Sequence, residues 1–366
     1  MGKKLSSNDK EILLLLDQHP KIGAKTLKKV RHHFSGNLSR ILSEPKSRIE
    51  RFFDPISLVA ICEARKEKLD KKVLTDFEIK TLFTGDNEYP KLLLEIFDPP
   101  EILYCRGNLE ILNMQGVAIV GSRSHTYYSK AVIEKIVPRL VESKIVIVSG
   151  LALGVDGLAH FLTLENGGQT IGVLGSGVEK IYPTSNQKLG DKMIEKGGAV
   201  ISEFPPRTPP FKQNFPLRNR LIAGMTLGTL VVEARHESGS LITAGLANEY
   251  GREVFSVPGN IDSFASEGTN ALIKEGAKLV TSVEDILSEL GFSSSKAVEN
   301  YLLPENENEE KIFSILATEP SSIDKIAKSA NFDIIILNSI MSILEISGKV
   351  EKVDGVFRLR GKYKLK

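Results

Sequence analysis

Six short apolar runs punctuate the middle of the chain: Val117–Val120, Ile145–Val148, Thr170–Leu174, Ala199–Ser202, Thr229–Val232 and Val254–Val257. Segments of helical character separate them, at 126–142, 155–165, 186–196, 217–225 and 240–250. A strand that is apolar on both sides must be covered on both faces. Strands alternating with helices imply parallel pairing through crossovers. Residues 76–291 are therefore expected to form a Rossmann-like, doubly wound, mostly parallel α/β sheet. Residues 84–104 precede the first clear unit and read as an extended lead-in.

The flanks differ in character. Residues 1–75 show few strand-like alternations and predict an N-terminal helical domain of helix-hairpin-helix or SAM-like kind. Asn8 or Asp9 is a candidate cap for a helix carrying Ile12, Leu13, Leu15 and Leu16, and Pro20 ends it. After a turn at Ile22-Gly23, Leu27, Val30 and Phe34 fall at helical spacing. Residues 292–309 are polar, contain Pro304 and read as a linker. Beyond them, helices near 310–317, 322–329 and 334–347 precede a hairpin signal at Asp354-Gly355. Three helices and a hairpin predict a winged helix over 310–366.

Composition narrows the function classes. A chain of 366 residues, 41% hydrophobic and 26% charged, has the make-up of a water-soluble globular protein. Net charge is +2, so any polyanion site must come from local concentration of Lys and Arg. Cys62 and Cys105 are too few for a disulfide framework or a four-thiolate metal site, which fits a reducing cytoplasm. Leu13–Leu16 is far too short to span a membrane.

The chemistry is concentrated where strands end. Val117–Val120 runs into Gly121, Ser122 and Arg123. Ligands of open α/β sheets sit outside the carboxyl ends of strands. There, glycine permits close approach, helix-start amides attract anions, and arginine offers a planar fork to phosphate. The alternative is a tight turn with a solvated arginine. A second strand end leads through Gly150 and Gly154 to Asp156, a helix cap or a ligand contact, and to His160, more in keeping with packing than with base catalysis. A third carries Lys180 and Tyr182, charge beside a ring, as a single strand requires; equally, they are a surface lysine and a packed tyrosine. A fourth holds Lys212, Arg218, Asn219 and Arg220. A fifth holds Glu233 and then Ser238, Gly239 and Ser240, whose amides and hydroxyls can meet an anion. Five anion-friendly loops on one sheet edge predict an extended polyanion site. No GxxxxGK[ST], HExxH, CxxC or GxSxG pattern is present, so no catalytic machinery is evident.

These segments also resemble a known family. GVAIVGSR, SGLALGVDGLAH, GVLGSGVEKIYP, ISEFPP, FPLRNRLIAG and VVEARHESGSLITAGLANEYGREVFSVPG, in that order from about Thr84 to Leu290, are similar to the DprA/Smf DNA-processing family. The resemblance implies binding and protection of single-stranded DNA during natural transformation and help in loading RecA recombinase. It further implies a homodimer built through the Rossmann core and no nucleotide cofactor. Arg123 would carry the phosphate-binding arginine, Lys180 a second basic contact, and Arg218 and Arg220 the RNR motif. The chain departs from the pattern at Ser129, where glycine is frequent, and at Leu153, where a basic residue is common.

Two other readings stand beside it. One is a Rossmann-type nucleotide or nucleoside-phosphate hydrolase, but such enzymes carry a PGGxGTxxE loop where this chain has Ser238–Thr243. The other is a transcription regulator using the basic C-terminal end, with Lys349, Lys352, Arg358, Arg360, Lys362, Lys364 and Lys366. There the helix that would read base edges is mostly apolar over Ile334–Met341, which favours protein contact or packing. Near the N-terminus, Lys25, Lys28 and Lys29 either approach a DNA backbone or form a solvated face.

Overall fold

The computed structural model describes residues 5–35, 37–292, 302–353, 355–361 and 363. Its contacts divide the chain into two units, 1–293 and 294–366. Half of the expected linker, residues 293–301, lies outside the described residues.

The larger unit begins with helices α1 (Ser7–Asp17), α2 (Ala24–His33), α3 (Arg40–Ser43), α4 (Lys46–Ile49), α5 (Pro55–Ala64) and α6 (Lys72–Asp76). Ser6, rather than Asn8 or Asp9, caps α1. Its hydroxyl accepts from the Asp9 amide while the Asp9 carboxylate accepts from the Ser6 amide, so Asp9 closes the reciprocal pair three residues in. Asp54 caps α5, and Pro55 opens it where a missing amide costs nothing. Leu13, Leu16, Leu27, Val30, Ile41 and Ile61 bury together, and this core continues into Phe83, Tyr104, Met193 and Val200 of the sheet region. Each such side chain contributes about 1.5–3 kcal/mol on burial, so Leu13→Ala is expected to cost about 2–5 kcal/mol.

Nine strands form one sheet: β1 (Lys80–Phe83), β2 (Ile102–Gly107), β3 (Gly116–Val120), β4 (Val146–Ser149), β5 (Thr170–Val173), β6 (Ala199–Ser202), β7 (Gly228–Val231), β8 (Glu253–Ser256) and β9 (Lys278–Leu279). Their order is β1-β2-β6-β5-β4-β3-β7-β8-β9. All pairs are parallel except β1–β2 and β2–β6. The expected lead-in is thus partly sheet: β2 adds an antiparallel strand beyond β6, and β1 closes that edge. The connecting helices are α7 (Tyr127–Glu142), α8 (Val155–Glu165), α9 (Gln187–Glu195), α10 (Asn214–Gly224), α11 (Gly239–Glu249), α12 (Glu267–Lys274) and α13 (Val283–Glu289).

Strand alternation assigns the two faces. Val117, Ile119 and Ile147 pack with Ile133 and Val137 of α7, Ala159 of α8 and Ile286 of α13. Their neighbours Ala118, Val120 and Val148 pack with Leu221 and Ile222 of α10 and Ala244 of α11. The chain winds outward from β3 through β6, then returns to place β7 on the other side of β3. The crevice that such a reversal opens lies at the β3–β7 strand ends.

The smaller unit packs α14 (Glu307–Thr318), α15 (Ile323–Ala330) and α16 (Ile334–Ile346) against an antiparallel pair, β10 (Val350–Val353) and β11 (Val356–Leu359). Leu337, Met341 and Leu344 of α16 join its core, while Ile335, Ile343 and Ile346 stay exposed. Asp354, Lys362, Lys364 and Lys366 fall outside the described residues. Among the described residues, no single helix is long and apolar enough to cross a membrane.

Candidate nucleic-acid interface

Strand β3 ends at Val120, and the next three residues are shaped by close packing. A Cβ at Gly121 would lie 2.8 Å from the Val155 side chain. Gly154, at φ +78°, comes closer still: a Cβ there would meet the Ser122 carbonyl oxygen at 2.2 Å. Two glycines therefore let the start of α8 abut the loop, and Val155 N donates to Ser122 O at 3.1 Å. Ser122 turns inward on its own loop, donating to Ser124 O (2.9 Å) and accepting from Ser124 N (3.2 Å). Arg123 is left exposed.

The first turn of α7 is less open to anions than its sequence suggests. The buried Glu233 carboxylate accepts from Thr126 N (3.1 Å) and Thr126 Oγ1 (2.7 Å), tying the β7 loop to that helix start.

Arg123 faces an aromatic pair. Its guanidinium lies 5.9 Å from the ring of Phe215, a half-buried residue in the first turn of α10. Tyr182 lies against the same ring, centroids 5.8 Å apart and tilted by 41°. Gly175, at the end of β5, leaves room for Phe215, since a Cβ there would come within 3.1 Å of it. Asn214 Nδ2 donates to Gly175 O at 3.0 Å and fixes the helix start against that strand end. Lys180 stands exposed two residues before Tyr182, with no ion pair among the described residues. Phe215 was not singled out in the sequence. Its signal was an aromatic directly before proline at the head of the FPLRNR segment.

The arginines of that segment point inward. Arg218 is buried and donates to the strand-end carbonyls of Gly150 (2.8 Å) and Val173, and to Asn219 Oδ1 (3.2 Å). Burial lowers its pKa to about 10, against the opposing pull of Asp156. Burial raises Asp156 above the usual carboxylate range, and Arg218 works against that rise. Asp156 accepts from Gly150 N at 3.1 Å, so it binds the β4 turn from within the first turn of α8, whose N-cap is Gly154. Arg220 pairs with Glu203 (2.5 Å) and Asp98 (3.0 Å) and is also buried. The guanidinium groups of Arg218 and Arg220 therefore serve the protein interior, where the sequence reading had placed them on the polyanion.

Of the remaining candidates, Gly239 is exposed, Asn219 and Ser238 are half-buried, and Ser240 is buried. Lys212 is exposed just before α10. Asn219 donates to Gly239 O at 3.3 Å, joining α10 to the start of α11. Ser238 caps α11, with its hydroxyl 2.7 Å from that of Ser240, and Gly239 beside them faces open space. His160 is fully buried with Nδ1 2.6 Å from Thr170 Oγ1, and burial lowers its pKa to about 3, so it stays neutral. Among the described residues, no group of three or more His, Cys, Asp or Glu is placed to hold a metal ion.

Fold and crevice together define a doubly wound α/β protein with exposed cations around an aromatic pair at its strand ends. The sequence model of DNA recombination-mediator protein A matches residues 80–291, and the chain belongs to that family. DNA processing protein DprA of Streptococcus pneumoniae is 47% identical over 207 residues, spanning 57% of this chain and 73% of the relative. Protein Smf of Escherichia coli is 39% identical over 289 residues, spanning 76% of this chain and 77% of the relative. The crystal structure of the S. pneumoniae protein superposes with a TM-score of 0.65 at 36% identity, covering 80% of this chain and 100% of that one. DNA processing protein A of Helicobacter pylori, whose structure was described for its single-stranded DNA binding mode, gives 0.53 at 34% identity, covering 58% and 96%. The family expected from the six motifs is thus the one found.

Proposed function

We propose that this chain is a recombination mediator that binds single-stranded DNA at the β3–β5 strand ends, shields it from nucleases and delivers it to RecA recombinase. It acts as a homodimer joined through the sheet core, in the cytoplasm, without a nucleotide cofactor and without a catalytic step of its own. The observation that carries this reading is Arg123 set against the Phe215–Tyr182 pair, with Lys180 exposed two residues before Tyr182. A single strand offers phosphate charge and unstacked bases together, and a cation beside stacked rings meets both. The likeness to the H. pylori protein supports the same choice of polyanion.

Within this reading, Arg123 and Lys180 contact phosphate while Tyr182 and Phe215 face bases. Gly121, Ser122, Lys212, Asn219, Ser238, Gly239 and Ser240 line the continuation of the track. Arg218 and Arg220 are positioning residues that hold the strand ends and α10 in place. The region 1–75 acts as a helical accessory domain, 76–291 as the DNA-binding core, 292–309 as a linker and 310–366 as a winged helix. Because α16 contains no Lys or Arg, that last domain suits protein contact better than base reading.

The test is a titration with single- and double-stranded oligonucleotides at several salt concentrations. Affinity for the single strand should exceed that for the duplex in short oligonucleotides and fall linearly on a log–log salt plot. Arg123→Ala should lower it by about 10- to 100-fold, the loss of one charge-assisted contact. Equal affinity for both forms, or wild-type binding by folded Arg123→Ala, would refute the reading.

A further inference from the structure

We infer that the outward face of the N-terminal helical region is a second surface for a phosphodiester backbone, separate from the crevice. Residues 21–53 hold nine Lys or Arg against two Glu, in a chain whose net charge is +2. Residues 294–366 hold eleven of each sign, so the rest of the larger unit is net negative. The positive charge is collected in one place rather than spread over the molecule.

Helix α2 separates its cations by task. Half-buried Arg31 pairs with Glu101 and donates to Thr84 O at 2.8 Å, and exposed Lys28 places its Nζ 3.4 Å from Phe97 O. These hold the helix to the segment around β2. Lys25 and Lys29 are exposed and one turn apart, about 6 Å along the axis. Lys46, Arg48 and Arg51 extend the exposed charge along α4 and the turn after it. Among the described residues, none of these five has an ion-pair partner. Asp54, which senses Lys29, directs its oxygens to Ser57 N (2.9 Å) and Ser57 Oγ (2.7 Å).

Rings are interleaved with this charge. His33 stacks on Phe52 with centroids 4.3 Å apart, and the Arg51 guanidinium lies 4.6 Å from the Phe52 ring. Unpaired cations with flat side chains among them suit nucleic acid. An anionic membrane holds a basic helix more firmly when apolar side chains insert beside the charge. The large apolar residues of α2, Leu27 and Val30, are instead buried in the core.

The test uses the full chain and the variant Lys25→Gln/Lys29→Gln/Arg48→Gln/Arg51→Gln, alongside Arg123→Ala. Ligands are single strands of about 10 and about 60 nucleotides, duplex DNA, and phosphatidylserine vesicles. The fourfold variant should keep the wild-type melting temperature and its affinity for the short strand. It should lose about tenfold or more on the long strand or the duplex, with the log–log salt slope shallower by about three units. Loss on the long strand identifies unpaired DNA as the partner, and loss on the duplex identifies paired DNA. Unchanged affinity and slope on both would overturn the inference, as would a loss confined to vesicles. A matching loss on the short strand would show one continuous site and overturn the claim of separateness. Failure of Arg123→Ala to weaken short-strand binding would count against the crevice alone.

Discussion

Arg123 and Arg218 show how one side chain type serves opposite ends. Arg123 follows a strand whose polar loop atoms are already satisfied, so its guanidinium is free for a ligand. Arg218 lies under the same Phe215 ring, 6.0 Å from it, and is consumed by carbonyls of two strand ends. Phe215→Leu should keep the fold and weaken single-strand binding by roughly 5- to 150-fold, the range for one lost stacking contact, as read by fluorescence anisotropy. Arg218→Met should act on stability instead. It removes the positive charge near Asp156 and leaves two buried carbonyls without their donor, and urea unfolding should show a loss of about 1–3 kcal/mol. Arg123 was legible in the sequence because strand, glycine, hydroxyl and guanidinium follow one another locally. The burial of Arg218 and Arg220 was not, because the groups that bury them, Gly150, Val173, Glu203 and Asp98, come from distant segments.

At the scale of elements, the apolar runs announced β3 to β8 because a strand covered on both faces leaves no polar alternation. The edge was harder to read. In β1 the burial runs from exposed Lys80 to buried Phe83, and β2 ends in Arg106 and Gly107, so neither shows the uniform pattern of a central strand. Beside the shared core and the Arg31 contacts, a buried hydrogen bond from Tyr104 Oη of β2 to Asp17 of α1, at 2.6 Å, ties the helical region to this edge. Burial pushes Asp17 up to about 7, with the Tyr104 hydroxyl opposing and Glu203 adding to the rise. In the unfolded chain the same carboxyl ionises near 3.8. The folded protein thus holds a proton that the unfolded chain releases, so this contribution to stability falls as pH rises from about 4 to about 7. His160 works the other way: its folded value near 3 lies below 6.5, so its contribution is lost as pH falls below 6.5. The two slopes oppose each other in the wild type. Asp17→Asn retains an acceptor for Tyr104 and should raise the melting temperature at pH 8 while making the decline below pH 6.5 steeper. A variant that tracks the wild type from pH 5 to 8 would contradict this account.

For the molecule as a whole, most of the large sheet was legible, because one period of strand and helix repeats through the middle of the chain. The antiparallel edge and the packing of the helical region onto it were not, since the shared core draws Ile12 and Leu13 together with Tyr104 and Val200 from far along the chain. The uneven placement of charge has a kinetic consequence. A unit with net positive charge in residues 21–53 and net negative charge elsewhere is an electric dipole, and the field of a polyanion exerts a torque on it before any contact forms. The protein should therefore meet DNA already turned. Stopped-flow mixing should show the fourfold glutamine variant slowed chiefly in association with long DNA at low salt, with the two proteins converging as added ions shorten the reach of the field.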